Sequence, residues 1–253
     1  MPSPDWSVWL PCFCAFIAWF GGGIVSVVTG FGCGLFAMPV MLICIEPEIA
    51  LPVTIVLCCF SMLLVLLKFW RDIDYRKFLF CSIFATPGAF LGVWILINLP
   101  VALIELGFGI FLLCAVASEL VRKHLLAHAR PFVFAPLEAA LACIAGVING
   151  VCGMGGPAMG FYASLAHWDK DMARGTFGLF FGLNILLCVL LLQYNDLLGA
   201  VELTLIAWAM PGAFLGTLAG IPIASRIPQA KFMRLLLLVI LISGLVLVYK
   251  GLK

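Results

Sequence analysis

Charged residues are scarce in this sequence, and their scarcity excludes an ordinary soluble domain. Only 10% of the 253 residues are charged, whereas 65% are hydrophobic, and the mean hydropathy is +1.23. Soluble domains are about half apolar and about a quarter charged. Apolar runs of about 20 residues recur along the chain, and each is long enough to cross a hydrocarbon core of about 30 Å. The sequence therefore predicts an all-α, polytopic membrane protein.

Signatures of several other functions are also missing. The net charge is only +2 and no basic tract is interleaved with aromatic residues, so we expect no nucleic-acid partner. The sequence contains no Gly-x-Ser-x-Gly, His-Glu-x-x-His or phosphate-loop motif, so we expect neither an enzyme nor a cofactor. The three histidines lack metal-ligand spacing, and most of the 11 cysteines lie in apolar runs as small hydrophobic residues. We therefore predict no metal site.

The acidic residues of the apolar spans lie toward the ends of those spans. They are Glu105, Glu119, Glu138 and Glu202. A carboxylate that carries protons through a membrane is expected nearer the midplane. The sequence therefore does not indicate coupling to protons.

The apolar runs predict two repeats. Repeat 1 covers residues 1–124, with a broken helical hairpin at 6–45 and spans at 49–69, 78–97 and 101–121. Repeat 2 covers residues 125–253, with a hairpin at 132–166 and spans at 171–193, 197–221 and 229–249. The hexapeptide Pro87 to Gly92 recurs letter for letter as Pro211 to Gly216, at the same position in the second half. This identity indicates an internal duplication.

The basic residues predict how the repeats are oriented. Connectors 68–77, 122–130 and 221–231 contain Lys and Arg, whereas connectors 46–48, 98–100 and 194–199 contain none. The positive-inside rule places the first three connectors in the cytoplasm. Each broken segment then enters and leaves the membrane by one face, and the second repeat is inverted relative to the first. Secondary transporters commonly have this design.

A glycine-rich break interrupts each broken segment, at 28–34 and at 148–157. Non-helical backbone at membrane depth is tolerated only where protein or a watery cavity satisfies its amides. Free N–H groups at the start of a half-helix suit an anion, although the glycines could instead serve tight hairpin packing. The candidate anion-binding residues of the first break are Thr29, Gly30, Gly32, Cys33 and Gly34. Those of the second break are Asn149, Gly150, Cys152, Gly153, Gly155 and Gly156.

Three residues of the following span complete the candidate site. Arg174 offers a planar guanidinium to an oxyanion, but an interfacial arginine paired with Asp169 or Asp171 fits the sequence equally well. Thr176 and Asn184 either line a pathway or form hydrogen bonds between helices. The glycines of the repeated hexapeptide are interpreted as helix-packing residues.

Both breaks, the segment Ala173-Arg174-Gly175-Thr176 and the repeated hexapeptide resemble the TauE/SafE-like sulfite exporter and toluene sulfonate uptake permeases. The resemblance covers essentially the whole chain. It implies a permease of the bacterial inner membrane that carries a sulfur-containing anion such as sulfite, sulfoacetate or another organosulfonate.

We therefore expect a secondary transporter that works by alternating access, with a small anion and the lipid bilayer as its partners. Two alternatives are a membrane accessory subunit that transports nothing and a carrier for another small anion. Helical membrane proteins expose apolar surface to lipid in any case, so the sequence leaves open whether the protein is a homodimer.

Overall fold

The computed structural model describes residues 6–29, 32–125, 134–226 and 229–251. Within these ranges all regular structure is helical, which confirms the predicted all-α class. The first half contains α1 (Trp6–Thr29), α2 (Cys33–Met41), α3 (Pro47–Phe69), α4 (Tyr75–Asn98) and α5 (Val101–Leu125). The second half contains α6 (Ala135–Cys152), α7 (Gly156–Leu165), α8 (Lys170–Tyr194), α9 (Ala200–Arg226) and α10 (Gln229–Gly251).

Helix length separates spanning helices from half-helices. Among the described residues, six helices are long and apolar enough to cross a membrane, namely α1, α3, α4, α6, α8 and α9. Helices α5 and α10 contain shorter apolar stretches, Ala102–Ala117 and Ile240–Tyr249. Helices α2 and α7, with 9 and 10 residues, have about half the roughly 20 residues that a crossing requires. The protein is a polytopic helical membrane protein.

In the first half, α2 runs back along α1. The Cys14 thiol donates to the Val40 carbonyl oxygen at 3.5 Å, near the N-terminal part of α1. Further along α1, Gly22 lies against the backbone of Cys33, the first residue of α2. Residues later in α1 thus meet residues earlier in α2, and the two helices are antiparallel.

In the second half, α7 runs back along α6 in the same way. Gly155, just before α7, lies against the Ala145 carbonyl group near the middle of α6. The Tyr162 hydroxyl group donates to Glu138 Oε2 at 2.7 Å, near the start of α6. Because Tyr162 is about two turns past Gly155 and Glu138 is about two turns before Ala145, the helices are antiparallel.

The repeated hexapeptide packs helices of opposite halves together. A Cβ at Gly92 of α4 would overlap the Val147 carbonyl oxygen of α6, and a Cβ at Gly216 of α9 would overlap the Phe20 carbonyl oxygen of α1. Each copy therefore brings its helix into backbone contact with the long hairpin helix of the other half. This geometry agrees with the packing role interpreted from the sequence.

The helix contacts are nearly unchanged when the two halves are exchanged. The α1–α9 contact corresponds to α6–α4, while α3 pairs with α8 and α5 pairs with α10. The α3–α8 pair is antiparallel, because Gly175 lies against the Phe69 carbonyl oxygen and the Cys59 thiol donates to the Gly182 carbonyl oxygen at 3.8 Å. Helices α3 and α8 are the most buried of the six long helices, and they form the centre of the molecule.

Candidate functional site

Among the described residues, each break contains one glycine in the left-handed region of backbone space. Gly32, which precedes α2, has φ 103°, and Gly153, which follows α6, has φ 72°. Side chains with a Cβ are disfavoured at such angles. In the described part of the chain these are the glycines with positive φ. Backbone conformation therefore favours glycine at both positions, and at Gly153 a Cβ would also lie only 3.1 Å from Ile55 Cα.

The two breaks meet at one small cavity. The first break contributes Gly32, Cys33, Gly34 and Leu35 to its walls. The second break contributes Gly153, Met154, Gly156 and Pro157. The contact between the breaks is direct, since a Cβ built on Gly34 would lie 2.7 Å from Met154 Cγ. The structure thus brings together two segments that are far apart in sequence.

Helices α3 and α8 supply the rest of the wall, through Cys58 and Met62 and through Phe181 and Ile185. These residues lie near the middle of the two central helices, so the cavity lies deep in the helical bundle. Its volume is about 20 Å³, which is room for about one water molecule. An anion the size of sulfite therefore enters only if the breaks or the side chains around them move.

The N-terminal ends of both half-helices face this cavity. Helix α2 begins at Cys33 and α7 begins at Gly156, and both residues line the wall. The first N–H groups of a helix have no partner within the helix, and they lie at the positive end of its dipole. Pro157 lacks an N–H group, so the first turn of α2 offers more donors than that of α7. The lining contains no charged side chain, so backbone groups supply its positive potential.

Sulfur atoms line one side of the cavity. The Sγ atoms of Cys33 and Cys58 are 3.6 Å apart, and both side chains are buried. Met62 and Met154 add two thioethers. Thiols are weak donors and their sulfur is polarizable, so the two cysteines can donate to an oxyanion without adding charge.

Asn149 holds the second break in place and does not line the cavity. It is fully buried, its Oδ1 accepts from the Gly155 N–H at 2.7 Å, and its Nδ2 donates to Asn184 Oδ1 at 2.8 Å. The Gly155 amide fixes the orientation of the Asn149 side chain, because an N–H group can only donate. Asn184 therefore presents its oxygen to Asn149, and its amino group keeps the role of donor.

Two other predicted residues of the second break make helix contacts and do not line the cavity. Gly150 lies against the Ala89 carbonyl oxygen of α4, so it belongs to the α4–α6 contact. The Cys152 thiol is buried and donates to the Ile148 carbonyl oxygen of its own helix at 3.2 Å. In the first break, Thr29 ends α1, and its side chain lies outside the described residues, as does the whole of Gly30.

Arg174 and Thr176 lie away from the cavity, at the end of α8 that meets the end of α3. The Arg174 guanidinium lies 5.4 Å from the ring centroid of Phe69. Thr176 Oγ1 accepts from the Asp74 N–H at 3.0 Å. Phe181, the nearest wall residue of α8, is about two turns from Arg174 along the helix. The structure therefore does not bring Arg174 to the cavity.

The wall residues that the sequence did not indicate are Leu35, Cys58, Met62, Met154, Pro157, Phe181 and Ile185. One signal for some of them was present: Cys58 is one turn before Ser61, and Phe181 is one turn before Asn184. The polar residues Ser61 and Asn184 thus indicated which side of α3 and α8 faces the interior, but they did not identify the residues that form the cavity wall. In the described chain, no group of three or more His, Cys, Asp or Glu side chains could hold a metal ion.

The comparison with known proteins identifies the family. The family described as sulfite exporter TauE/SafE matches residues 15–247. The match spans both breaks, the cavity wall and both copies of the hexapeptide. No curated protein and no solved structure matches the chain. Since the family match covers nearly the whole sequence, the chain belongs to the sulfite exporter TauE/SafE family.

Proposed function

We propose that this protein is a secondary transporter that carries a small sulfur-containing anion, such as sulfite, sulfoacetate or another organosulfonate. The observation that carries the proposal is the convergence of two half-helix N-termini, those of α2 and α7, on one cavity in the middle of the bundle. Helix N-termini bind anions through their N–H groups and dipoles. Family membership supports sulfite or a related sulfur anion as the substrate.

The residues proposed to contact the anion are Gly32, Cys33 and Gly34 of the first break and Gly153 and Gly156 of the second. The glycines let the backbone approach the ligand closely. The Cys33 and Cys58 thiols add donors on one side. Asn149 and Asn184 act indirectly in this proposal, since their mutual hydrogen bond supports the shape of the second break.

One buried hydroxyl group near the cavity, that of Ser61, could donate a hydrogen bond to a bound anion. Ser61 is buried on α3, one turn past Cys58, and it interacts with the Cys33 thiol. Its Oγ has no conventional hydrogen-bond partner among the described residues. Buried polar groups without a partner are uncommon in folded proteins, and such a group commonly binds a water molecule or an ion. A bound oxyanion would give this hydroxyl an acceptor.

Transport would proceed by alternating access between two inverted repeats. The antiparallel packing of α3 on α8, which occupy equivalent positions in the two halves, supports this inversion. The small cavity suits a closed state, and outward or inward movement of the breaks would open it to one face at a time. The positive-inside pattern supports placing the α3–α4 connector in the cytoplasm, and the family supports the bacterial inner membrane.

The test is a ligand-stability screen followed by a flux assay. Purified protein in detergent is heated with sulfite, thiosulfate, sulfoacetate, taurine or acetate. A ligand at about 100 times its Kd adds about 2.7 kcal/mol of stability, which raises the midpoint of thermal unfolding. We expect a rise with at least one sulfur anion and none with acetate, and we expect proteoliposomes to exchange that anion. Neither a rise nor exchange with any sulfur anion would refute the proposal.

A further inference from the structure

Glu138 places a buried carboxyl group inside the second half. It lies in the first turn of α6, is 8% exposed, and is the buried acidic residue among the described residues. The sequence predicted a carboxylate near the end of a span, where water would be expected. The structure instead covers it with α4 and α7. An ionisable residue buried in a membrane protein is costly, and such residues usually have a function.

Both carboxyl oxygens of Glu138 have a donor. The Tyr162 hydroxyl donates to Oε2 at 2.7 Å, and the Cys81 thiol donates to Oε1 at 3.5 Å. An ionised carboxylate can only accept hydrogen bonds, so two donors suit the charged form. The Tyr162 bond is the shorter of the two. The donors come from two helices, α7 and α4.

Aromatic and basic groups cover the cluster on the side of the α3–α4 connector. The Trp168 ring meets the Tyr162 ring edge to face at 6.1 Å, and Lys77 Nζ lies 4.1 Å from the centroid of the Trp168 ring. Lys77 is one turn before Cys81 on α4. The buried Trp168 Nε1 has no hydrogen-bond partner among the described residues. The Trp168 ring therefore lies between the Lys77 cation and Tyr162, the residue that donates to Glu138.

Two other charged groups at this end of the bundle contact residues other than Glu138. The Asp74 carboxylate accepts the Arg76 and Lys77 amides at the start of α4. From α8, the Arg174 guanidinium lies over the Phe69 ring of α3. The titratable groups that face Glu138 are thus Tyr162 from α7 and Cys81 from α4, with Lys77 behind Cys81.

We propose that Glu138 is a proton-binding site, and that the proton it takes up and releases is coupled to movement of the anion. This inference rests on the transport function proposed above. Helix α7 links the two sites, because Gly156 at its first turn lines the cavity and Tyr162 near its middle binds Glu138. A shift of α7 that opens the cavity also withdraws Tyr162 from the carboxylate.

The coupling follows from the cost of a buried charge. When Tyr162 is in place, the carboxylate is held in its ionised form by two donors. When Tyr162 is withdrawn, a charged oxygen would lack its shorter hydrogen bond, and a proton from water neutralises it. When α7 returns, the proton leaves to water as the hydroxyl donor is restored. Each cycle of α7 thus takes up and releases one proton, without any change in covalent bonds besides the O–H bond.

The test uses the full chain in proteoliposomes with ³⁵S-labelled sulfite. Exchange of sulfite at equal pH reports binding and movement of the anion, whereas net flux under an imposed pH gradient reports coupling. Leakage through the lipid is the same for all variants and is subtracted with protein-free vesicles. For Glu138→Gln we expect gradient-driven flux to fall by about tenfold or more, a typical coupling magnitude, while exchange persists. Glu202→Gln, at the start of α9, is the matched control and should keep both activities.

A second readout does not depend on flux. Acidification of the wild-type protein should produce the infrared carbonyl band of a protonated carboxyl group, and Glu138→Gln should remove a component that Glu202→Gln retains. Glu138→Gln could lose exchange as well as gradient-driven flux, and the infrared readout decides that case. Loss of the carbonyl component in Glu138→Gln supports the proposal, and persistence of that component overturns the proposal. If Glu138→Gln does not fold, Tyr162→Phe replaces it, and unchanged gradient-driven flux in that variant overturns the proposal.

The outcomes also separate this inference from the transport function. Wild-type protein that exchanges sulfite but ignores the pH gradient overturns the proton site and leaves the transporter intact. Gradient-driven flux in Glu138→Gln equal to that of the wild type has the same meaning. Wild-type protein that exchanges neither sulfite nor sulfoacetate refutes the transport function and, with it, the coupling.

Discussion

The two breaks occupy equivalent positions in their halves, but they are held in place by different interactions. In the second break, Asn149 bonds the Gly155 amide and Asn184, and Glu138 bonds Tyr162 across the two arms. Oxygen and nitrogen groups form all of these bonds. The second break is therefore supported by a network of conventional hydrogen bonds.

The first break depends on sulfur contacts and close packing. The Trp19 Nε1–H donates to Met41 Sδ at 3.0 Å, and the Thr54 hydroxyl donates to Met38 Sδ at 3.3 Å. Thioether sulfur is a weak acceptor. Gly22 lets the backbones of α1 and α2 approach closely. Two halves with similar helix contacts thus support one break held by polar bonds and one held mainly by sulfur contacts and packing. We therefore expect polar substitutions to matter most in the second break and changes of volume to matter most in the first.

The largest expected effect is that of Asn149→Leu on stability. The substitution leaves the Gly155 N–H and the Asn184 side chain without their buried partner, and each such group costs about 1–3 kcal/mol. We expect the free energy of unfolding to fall by about 2–5 kcal/mol, measured by denaturant titration of the protein in detergent micelles. Thr54→Val is the matched change beside the first break, and it should cost less than about 1 kcal/mol because the lost acceptor is a thioether. Equal losses would contradict the contrast between the breaks.

The next largest effect is that of Gly34→Leu on transport. A Cβ at this position lies 2.7 Å from Met154 Cγ and 3.0 Å from Cys58 Sγ, so a larger side chain occupies the cavity. Its nearest contacts are side chains, which can move, so we expect the protein to fold. Because the side chain takes the space that the anion would occupy, we expect sulfite exchange in proteoliposomes to be about 5- to 150-fold slower, as for a coupling free energy of about 1–3 kcal/mol. Gly107→Leu is the control, because nothing lies within 4 Å of a Cβ at that position on α5. Normal exchange in Gly34→Leu would show that the anion passes elsewhere.

The smallest effect is expected for Arg174→Ala. The guanidinium lies over the Phe69 ring and about two turns from the cavity wall. Arg174 is half-buried, and loss of a cation–π contact costs from about 0.5 kcal/mol at exposed sites to about 2 kcal/mol at desolvated ones. We expect a slightly lower unfolding midpoint and sulfite exchange close to that of the wild type. If a folded Arg174→Ala variant exchanged no sulfite, Arg174 would have to be counted among the anion-binding residues. The second half would then supply the positive charge of the site.

The sequence predicted the features that the bilayer imposes on a chain. The all-α class follows from the length of apolar runs that a membrane requires. The two breaks were predicted from clusters of glycine that interrupt apolar runs. Gly32 and Gly153, one in each cluster, do adopt backbone angles that favour glycine. The family resemblance, which rested on these same segments, is confirmed by the family match.

The features that depend on how helices cross could not be predicted. In an apolar span, a residue that faces a cavity has the same character as one that faces lipid. Ser61 and Asn184 therefore indicated a helix face, but nothing in the sequence identified Cys58 and Phe181 as wall residues. Arg174 follows the second break closely in sequence, but the antiparallel packing of α8 on α3 carries it to the end of the bundle. Glu138 lies near the start of its helix. It is buried because α7 packs antiparallel on α6 and places Tyr162 over it, which the sequence does not reveal.

The exchange of hexapeptide contacts between the halves affects the order in which the protein is assembled. During synthesis α4 meets its partner α6 soon after leaving the ribosome, whereas α1 must wait for α9, the last helix but one. Gly212 and Gly216 of α9 pack on α1, although most of the chain separates the two helices in sequence. Contacts between residues so far apart in sequence form slowly. Until then α1 lacks its partner from the second half, while α2 is already supported by α3 through the bond from Thr54 to Met38. The first break is thus the first part of the site to be synthesised and the last to acquire its full support.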